Sequence, residues 1–271
     1  MTNAEYKRRL AENFDERSRD YNPDNFQGRL VERVIDLARP KAGESVLDVA
    51  TGTGLAAIAA ARLVGEGGKV VGIDLSPGML AVATTAVESE GLRNVELLQA
   101  DAETFALPPG SLDVVTCVSA LPYLTDIPAA LGRWHGLLGP NGRVAFNCWS
   151  SAAYITGSLV RVVAARHGIR MPVTGEEVGS PVLCQAVLAA AGFADPTVDV
   201  DSSGGHFVPM EKVERAWDGW VKNPVFHPRD PDAASKLLGL REEYSSEARG
   251  RATEEGVWDE MTAYFVVGWK R

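Results

Sequence analysis

The chain has 271 residues, enough to bury a substantial core as one large α/β domain or two small ones. Lys and Arg number 27 against 36 Asp and Glu, a formal charge of −9 without any basic run, which argues against a phosphate-backbone partner because such binding needs clustered cations. The cysteines Cys117, Cys148 and Cys184 lack CxxC spacing and sit in apolar segments, the pattern of structural thiols in a reducing cytosol.

Residues 1–40 read as a helical lid whose pattern breaks at "DYNPDNF". Their opening, "MTNAEYKRRLAENFDERSRDYN", is charged throughout, and no stretch of the chain approaches about 18 uninterrupted apolar residues. A soluble, cytoplasmic protein without membrane insertion is expected. From Ser45 onward, segments of apolar β-formers alternate with Ala-rich helical patterns, which predicts βαβ units on a parallel sheet with right-handed crossovers. Strands are predicted over 45–50, 69–74, 95–100, 112–119, 143–149, 196–200 and 263–269, and helices over 55–64, 77–90, 127–138 and 181–191. "GPNGR" reads as a Gly-rich turn entering the fifth strand. The expected organisation is a lid over 1–40, a Rossmann-like core over 41–202, an aromatic- and Pro-rich cap over 203–258, and a final core strand over 259–271.

The first strand-to-helix turn, "VLDVATGTGLAAIAAA", carries Gly52 and Gly54, through which helix N-terminal amides can approach a polar or anionic ligand. Gly52 to Ala57 also fits a GxGxxA dinucleotide fingerprint, and Asp74, twenty residues after Gly54 at the end of the second strand, suits the ribose of either NAD or an adenosine. Asp101, at the tip of the third strand, is placed to accept from an exocyclic adenine amine, with Ala102 and Glu103 lining the base. That second acid is less expected of a dinucleotide enzyme.

In order along the chain, "VLDVATGTG", "VVGIDLSPGML", "ADAETFALPPGSLDVV" and "LGPNGRVAF" resemble the motifs of the class I S-adenosylmethionine (SAM) dependent methyltransferases. The likeness is to the small-molecule branch that includes the ubiquinone and menaquinone biosynthesis C-methyltransferases, and it covers about residues 43–148. Ala50 stands where the first motif usually has its first Gly. The resemblance implies a seven-stranded sheet of order 3-2-1-4-5-7-6 with the last strand antiparallel, and the terminal apolar run "EMTAYFVVGWKR" suits such a strand. It further implies SAM as cofactor, with Asp48, Gly52 and Gly54 around its amino-acid end, Asp74 at the ribose, Leu75 and Met79 on the adenine face, and Asp101 with Ala102 at the adenine edge. Cys117 would approach the methionine part through its backbone, and Tyr21, in the aromatic segment with Phe14, would hydrogen-bond the methionine carboxylate.

Methyl transfer from a sulfonium is an in-line displacement, so the protein mostly aligns the reactants, excludes water and, for a hydroxyl or carbon acid, supplies a base. Tyr123 and Trp149 are expected to frame the methyl or the acceptor. His206, on a Gly-Gly turn after the sixth strand, is the first candidate base and His227, in the cap, the second; His135 and His167 read as structural. No metal site is expected. A nucleic-acid amino-methyltransferase is disfavoured because Ala120-Leu121-Pro122-Tyr123 replaces its Asn/Asp/Ser-Pro-Pro-aromatic tetrad, and an NAD oxidoreductase because no Tyr-x-x-x-Lys pair occurs. A SAM-binding protein of the same fold with a non-methylating step, such as cyclisation, stays open. The expectation is O- or C-methylation of a moderately large, partly apolar specialised metabolite, by a chain for which a homodimer remains an open state.

Overall fold

A computed structural model describes residues 2–18, 25–171, 175–202, 204–223, 228 and 230–271. In chain order its elements are α1 (Asn3–Ser18), α2 (Asn25–Ala38), β1 (Ser45–Val49), α3 (Leu55–Val64), β2 (Lys69–Asp74), α4 (Pro77–Ser89) and β3 (Val95–Gln99). Then come β4 (Leu112–Cys117), α5 (Ile127–Leu137), β5 (Leu138–Trp149), α6 (Ile155–Arg166), α7 (Pro181–Ala190) and β6 (Ala194–Asp201). The chain closes with β7 (Gly205–Val208), α8 (Met210–Lys222), α9 (Pro231–Leu238), α10 (Arg241–Arg249), β8 (Val257–Glu260) and β9 (Ala263–Trp269).

The main sheet runs β3-β2-β1-β4-β5-β9-β6, with β9 antiparallel to both of its neighbours. This is the seven-stranded order that the resemblance implies, with β9 as its last strand. Parallel strands covered by helices on both faces read as nearly continuous apolar runs, and β1 and β2 each bury four successive residues. Ser76 caps α4 by accepting from the Met79 amide at 3.0 Å, with Pro77 in the first turn. Among the described residues no helix is long and apolar enough to cross a membrane.

Three boundaries differ from expectation. The "GPNGR" turn lies inside β5, where register shifts between the pairs Leu112–Leu138 and Val114–Arg143, and Asn141 takes φ 63°. Arg143, buried just beyond, explains that geometry: its guanidinium grips Glu44 with bonds of 2.9 and 2.7 Å and donates to the carbonyls of Ala38 and Arg39. The lid expected over 1–40 is two different things. In α2 the residues Leu30, Val31, Val34, Ile35 and Ala38 form one helical stripe, buried in a cluster with β1, α3 and β9, so α2 is a layer of the core that meets the cavity only at its start, through Gln27, while α1 crosses the ligand side. Finally, α6 falls within the expected core span, yet its Leu159, Val160 and Val163 pack with Val213, Trp217 and Val221 of α8 and Tyr244 of α10 in a separate cluster.

Candidate active site

A cavity of about 920 Å³ opens beyond the carboxyl ends of β1, β2, β4 and β5, where an open α/β sheet is expected to hold its ligand. Its first wall is the turn after β1. Ala50, which replaces the first motif Gly, is held at φ 52°, a left-handed conformation that costs a side-chain-bearing residue about 1 kcal/mol or more. Gly52, at φ 55°, lines the cavity, and a Cβ there would meet no protein atom within 4 Å, so the space before its backbone is open to a ligand.

Asp74 closes this end. Its carboxylate accepts from the Gly52 amide at 2.8 Å and the Ser76 amide at 2.9 Å, which fixes the group at the strand tip while it lines the cavity. Burial raises its pKa against those backbone donors. Leu75, Met79, Asp101 and Ala102 continue the same wall. The fully buried Trp134 of α5 donates to the Ala102 carbonyl at 3.1 Å and thereby anchors that segment.

Asp48, Gly54 and Cys117 are corrections to the expected ligand shell, since none of the three lines the cavity. Asp48 is turned inward, accepting from the hydroxyls of Thr51 at 2.6 Å and Thr116 at 2.7 Å, so it shapes the turn from behind. Gly54 is needed for packing: a Cβ there would stand 3.1 Å from that of Ala83 on α4. Cys117 is fully buried, with its thiol pushed up by desolvation.

Burial also pushes the Asp48 carboxyl up to about 6, although the two threonine hydroxyls favour its ionised form. An unfolded Asp titrates near 3.9, roughly, so the folded chain holds this proton more tightly. Its stabilising contribution is complete below about pH 4 and is lost as pH rises through about 6, by up to about 3 kcal/mol. The unfolding free energy of the native chain is therefore expected to fall relative to that of Asp48→Asn across this window. Paired urea titrations check this, and a pH-independent difference would contradict it.

The helix α1 closes the cavity from above. Its Lys7 ammonium lies 2.6 Å from Asp101 and 2.8 Å from Glu103, and those carboxylates hold it above its usual range although burial opposes the charge. Glu103 is thus more than a lining for the base, for its other oxygen accepts from the amides of Thr125 and Asp126 and the Thr125 hydroxyl. Asp15 accepts from the Ser76 hydroxyl and, at 2.8 Å, the Gly78 amide, tying α1 to the start of α4. Phe14 meets Tyr123 edge-on at 5.3 Å.

At the far end the wall is aromatic. Tyr154, at φ 60°, stands edge-on to Trp149 at 5.3 Å and to Trp220 at 6.3 Å, and all three line the cavity. On α8 the residues Ala216, Gly219, Trp220 and Asn223 fall at i, i+3, i+4 and i+7, one helical face turned to the cavity, while Val213, Trp217 and Val221 face the cap core. Sequence reasoning missed Lys7, Asp15, Tyr154 and Trp220, and only the α8 spacing was visible in it.

Of the two candidate bases, His206 is a correction. It sits exposed on β7 opposite Asp259, outside the cavity wall. His227 and Tyr21 lie outside the described residues. Among the described residues no histidine lines the cavity, and no group of three His, Cys, Asp or Glu is arranged to hold a metal.

The sheet order, and a cavity beyond the strand ends with one carboxylate at each of two adjacent strand tips, are those of a Rossmann-like α/β protein with a ligand site. The methyltransferase-domain family matches residues 46–142. The chain is 36% identical over 148 residues to the aklanonic acid methyltransferase DauC of Streptomyces sp. (strain C5), covering 54% of this chain and 67% of that one. It is 34% identical over 178 residues to the demethylmenaquinone methyltransferase of Thermus thermophilus, covering 60% and 80%. In fold it is similar to the YcgJ protein from Bacillus subtilis, with a TM-score of 0.57 at 21% identity over 90% of this chain and 98% of that one. The chain belongs to the class I SAM-dependent methyltransferases, in their small-molecule branch. It is an enzyme that uses SAM.

Proposed function

We propose that the enzyme methylates an oxygen or carbon of a partly apolar specialised metabolite that lies between Trp149, Tyr154 and Trp220. One observation carries this reading: a single cavity of about 920 Å³ has carboxylates and an open Gly52 turn at one end and three aromatic rings at the other. That volume is near the top of the roughly 300–1,000 Å³ range of ligand pockets and suits two molecules lying end to end. A relative whose name specifies aklanonic acid supports an acceptor of this kind.

Bound SAM supplies the methyl group as an electrophilic sulfonium substituent. Gly52 would face its amino-acid end, Asp74 would accept from the ribose hydroxyls, Leu75 and Met79 would cover the adenine, and Asp101 with Ala102 would take its edge. The helices α1, α6 and α8 serve as covers that exclude water. The acid balance and buried thiols support a cytoplasmic enzyme without a nucleic-acid acceptor, and a homodimer is compatible with this arrangement.

Burial raises the Tyr154 phenol above its ordinary range, so it stays protonated at neutral pH and does not act as a base. Among the described residues the site then offers alignment without a histidine, and His227, outside them, stays the candidate base. His206→Ala is accordingly expected to leave the pH–rate profile unaltered, and a flattened neutral limb would return the base to His206. The reading itself is tested by incubating the enzyme with SAM and a panel of aromatic acids, phenols and quinols. Product heavier by one CH₂, formed with equimolar S-adenosylhomocysteine, is expected; cofactor binding without transfer to any aromatic acceptor would oppose it.

A further inference from the structure

The reading of the aromatic end as the acceptor site leaves one cation unexplained. Arg161 projects from α6 seven residues after Tyr154, two helical turns along the same face, and both line the cavity. Among the described residues its guanidinium donates to the Ser158 hydroxyl, one turn earlier, at 2.8 Å. Among the described residues no carboxylate lies within ion-pair distance of it, although Glu176 lines the same cavity. Arginines such as Arg143, Arg166 and Arg249 pair with acids, whereas Arg161 lines the cavity where the acceptor would lie.

The frame around it is built. Trp220 donates from its indole to the Thr156 hydroxyl at 2.8 Å, and Gly157 lets that ring lie against α6, since a Cβ there would stand 2.8 Å from it. A cation removed from much of its water without a counter-ion is costly, and burial alone shifts this guanidinium below its usual range. An anion in the cavity offsets that cost. With one donor used by Ser158, the planar fork retains enough N–H groups for a carboxylate.

We infer that Arg161 is an acceptor-binding residue that pairs with a carboxylate on the methyl acceptor, making the enzyme selective for acidic aromatic substrates. The pairing holds the acceptor from its far end while Trp149, Tyr154 and Trp220 bound its apolar body. A lysine would keep the charge and lose the fork.

The inference rests on the acceptor reading, so its test must separate the two. Anthraquinone-2-carboxylate and anthraquinone-2-carboxamide are titrated by calorimetry into the native enzyme, Arg161→Gln and Arg161→Lys, each saturated with S-adenosylhomocysteine. The native enzyme is expected to prefer the carboxylate by roughly ten-fold or more. The preference disappears in Arg161→Gln and persists in part in Arg161→Lys, while S-adenosylhomocysteine affinity stays the same in all three, which also reports that the variants are folded. Equal native affinity for the two probes, binding of neither, or a carboxylate preference that survives in Arg161→Gln overturns the anchor. Failure of the native enzyme to bind S-adenosylhomocysteine would strike the cofactor site beneath it.

Discussion

Replacement of Asp74 by alanine is expected to weaken S-adenosylhomocysteine binding by about 2 kcal/mol, roughly thirty-fold in Kd. Two losses combine. In the proposed reading the carboxylate accepts from the ribose hydroxyls, and hydrogen bonds to a charged group are stronger than neutral ones. It also receives the Gly52 and Ser76 amides at 2.8 and 2.9 Å, so its removal frees the glycine turn proposed to face the rest of the cofactor. Asp74→Asn, which keeps one acceptor oxygen, should lose less. Calorimetric titration reads both variants, with the thermal midpoint showing that each is folded, and unchanged affinity in Asp74→Ala would contradict the ribose assignment.

The largest stability effect is expected at Trp134. It is fully buried in the main hydrophobic cluster among Leu131, Leu137 and Leu138, and Trp134→Ala should cost about 3–5 kcal/mol through lost transfer energy and a large cavity. A second consequence reaches the site. The Trp134 indole N–H holds the Ala102 carbonyl at 3.1 Å, so the segment that presents Asp101 loses its support. Trp134→Phe separates the two effects by keeping most of the packing and removing only the donor, at a further cost of about 1 kcal/mol for the unpaired carbonyl. Urea unfolding of both variants, with S-adenosylhomocysteine affinity measured on the phenylalanine variant, checks the assignment. A loss under about 1 kcal/mol in Trp134→Ala would show that α5 is not fixed by this side chain.

The parts legible in the sequence are those set by local rules. Alternation of β-formers with helical patterns predicts a parallel sheet, and strand tips carrying Gly52, Asp74 and Asp101 place those residues along one cavity. The C-terminal apolar run enters the sheet between β5 and β6, as the family likeness implies. What escaped depends on contacts remote in sequence. Lys7 reaches Asp101 across 94 residues and Asp15 reaches Ser76 across 61, and nothing in a charged amphipathic helix announces such partners. The stripe from Leu30 to Ala38 was visible, but periodicity tells only that a helix has an apolar face, not whether a sheet or a ligand lies beneath it. The motif residues Asp48 and Gly54 were read as ligand contacts, yet one supports the turn from behind and the other permits two helices to approach. A motif fixes the geometry of a turn through residues that need not touch what the turn holds. The first histidine candidate was misplaced for a related reason: position after a strand end does not say which side of the cap the side chain joins, and β7 carries His206 away from the cavity.

The most direct test is a crystal structure of the enzyme with S-adenosylhomocysteine. The account predicts the ribose hydroxyls on Asp74, the adenine amine at Asp101, and the sulfur directed toward the Trp149, Tyr154 and Trp220 wall, with the space beside Arg161 left for an acceptor. A nucleoside bound the other way round, with its sulfur toward Asp101 or its adenine among the three aromatic rings, would contradict it.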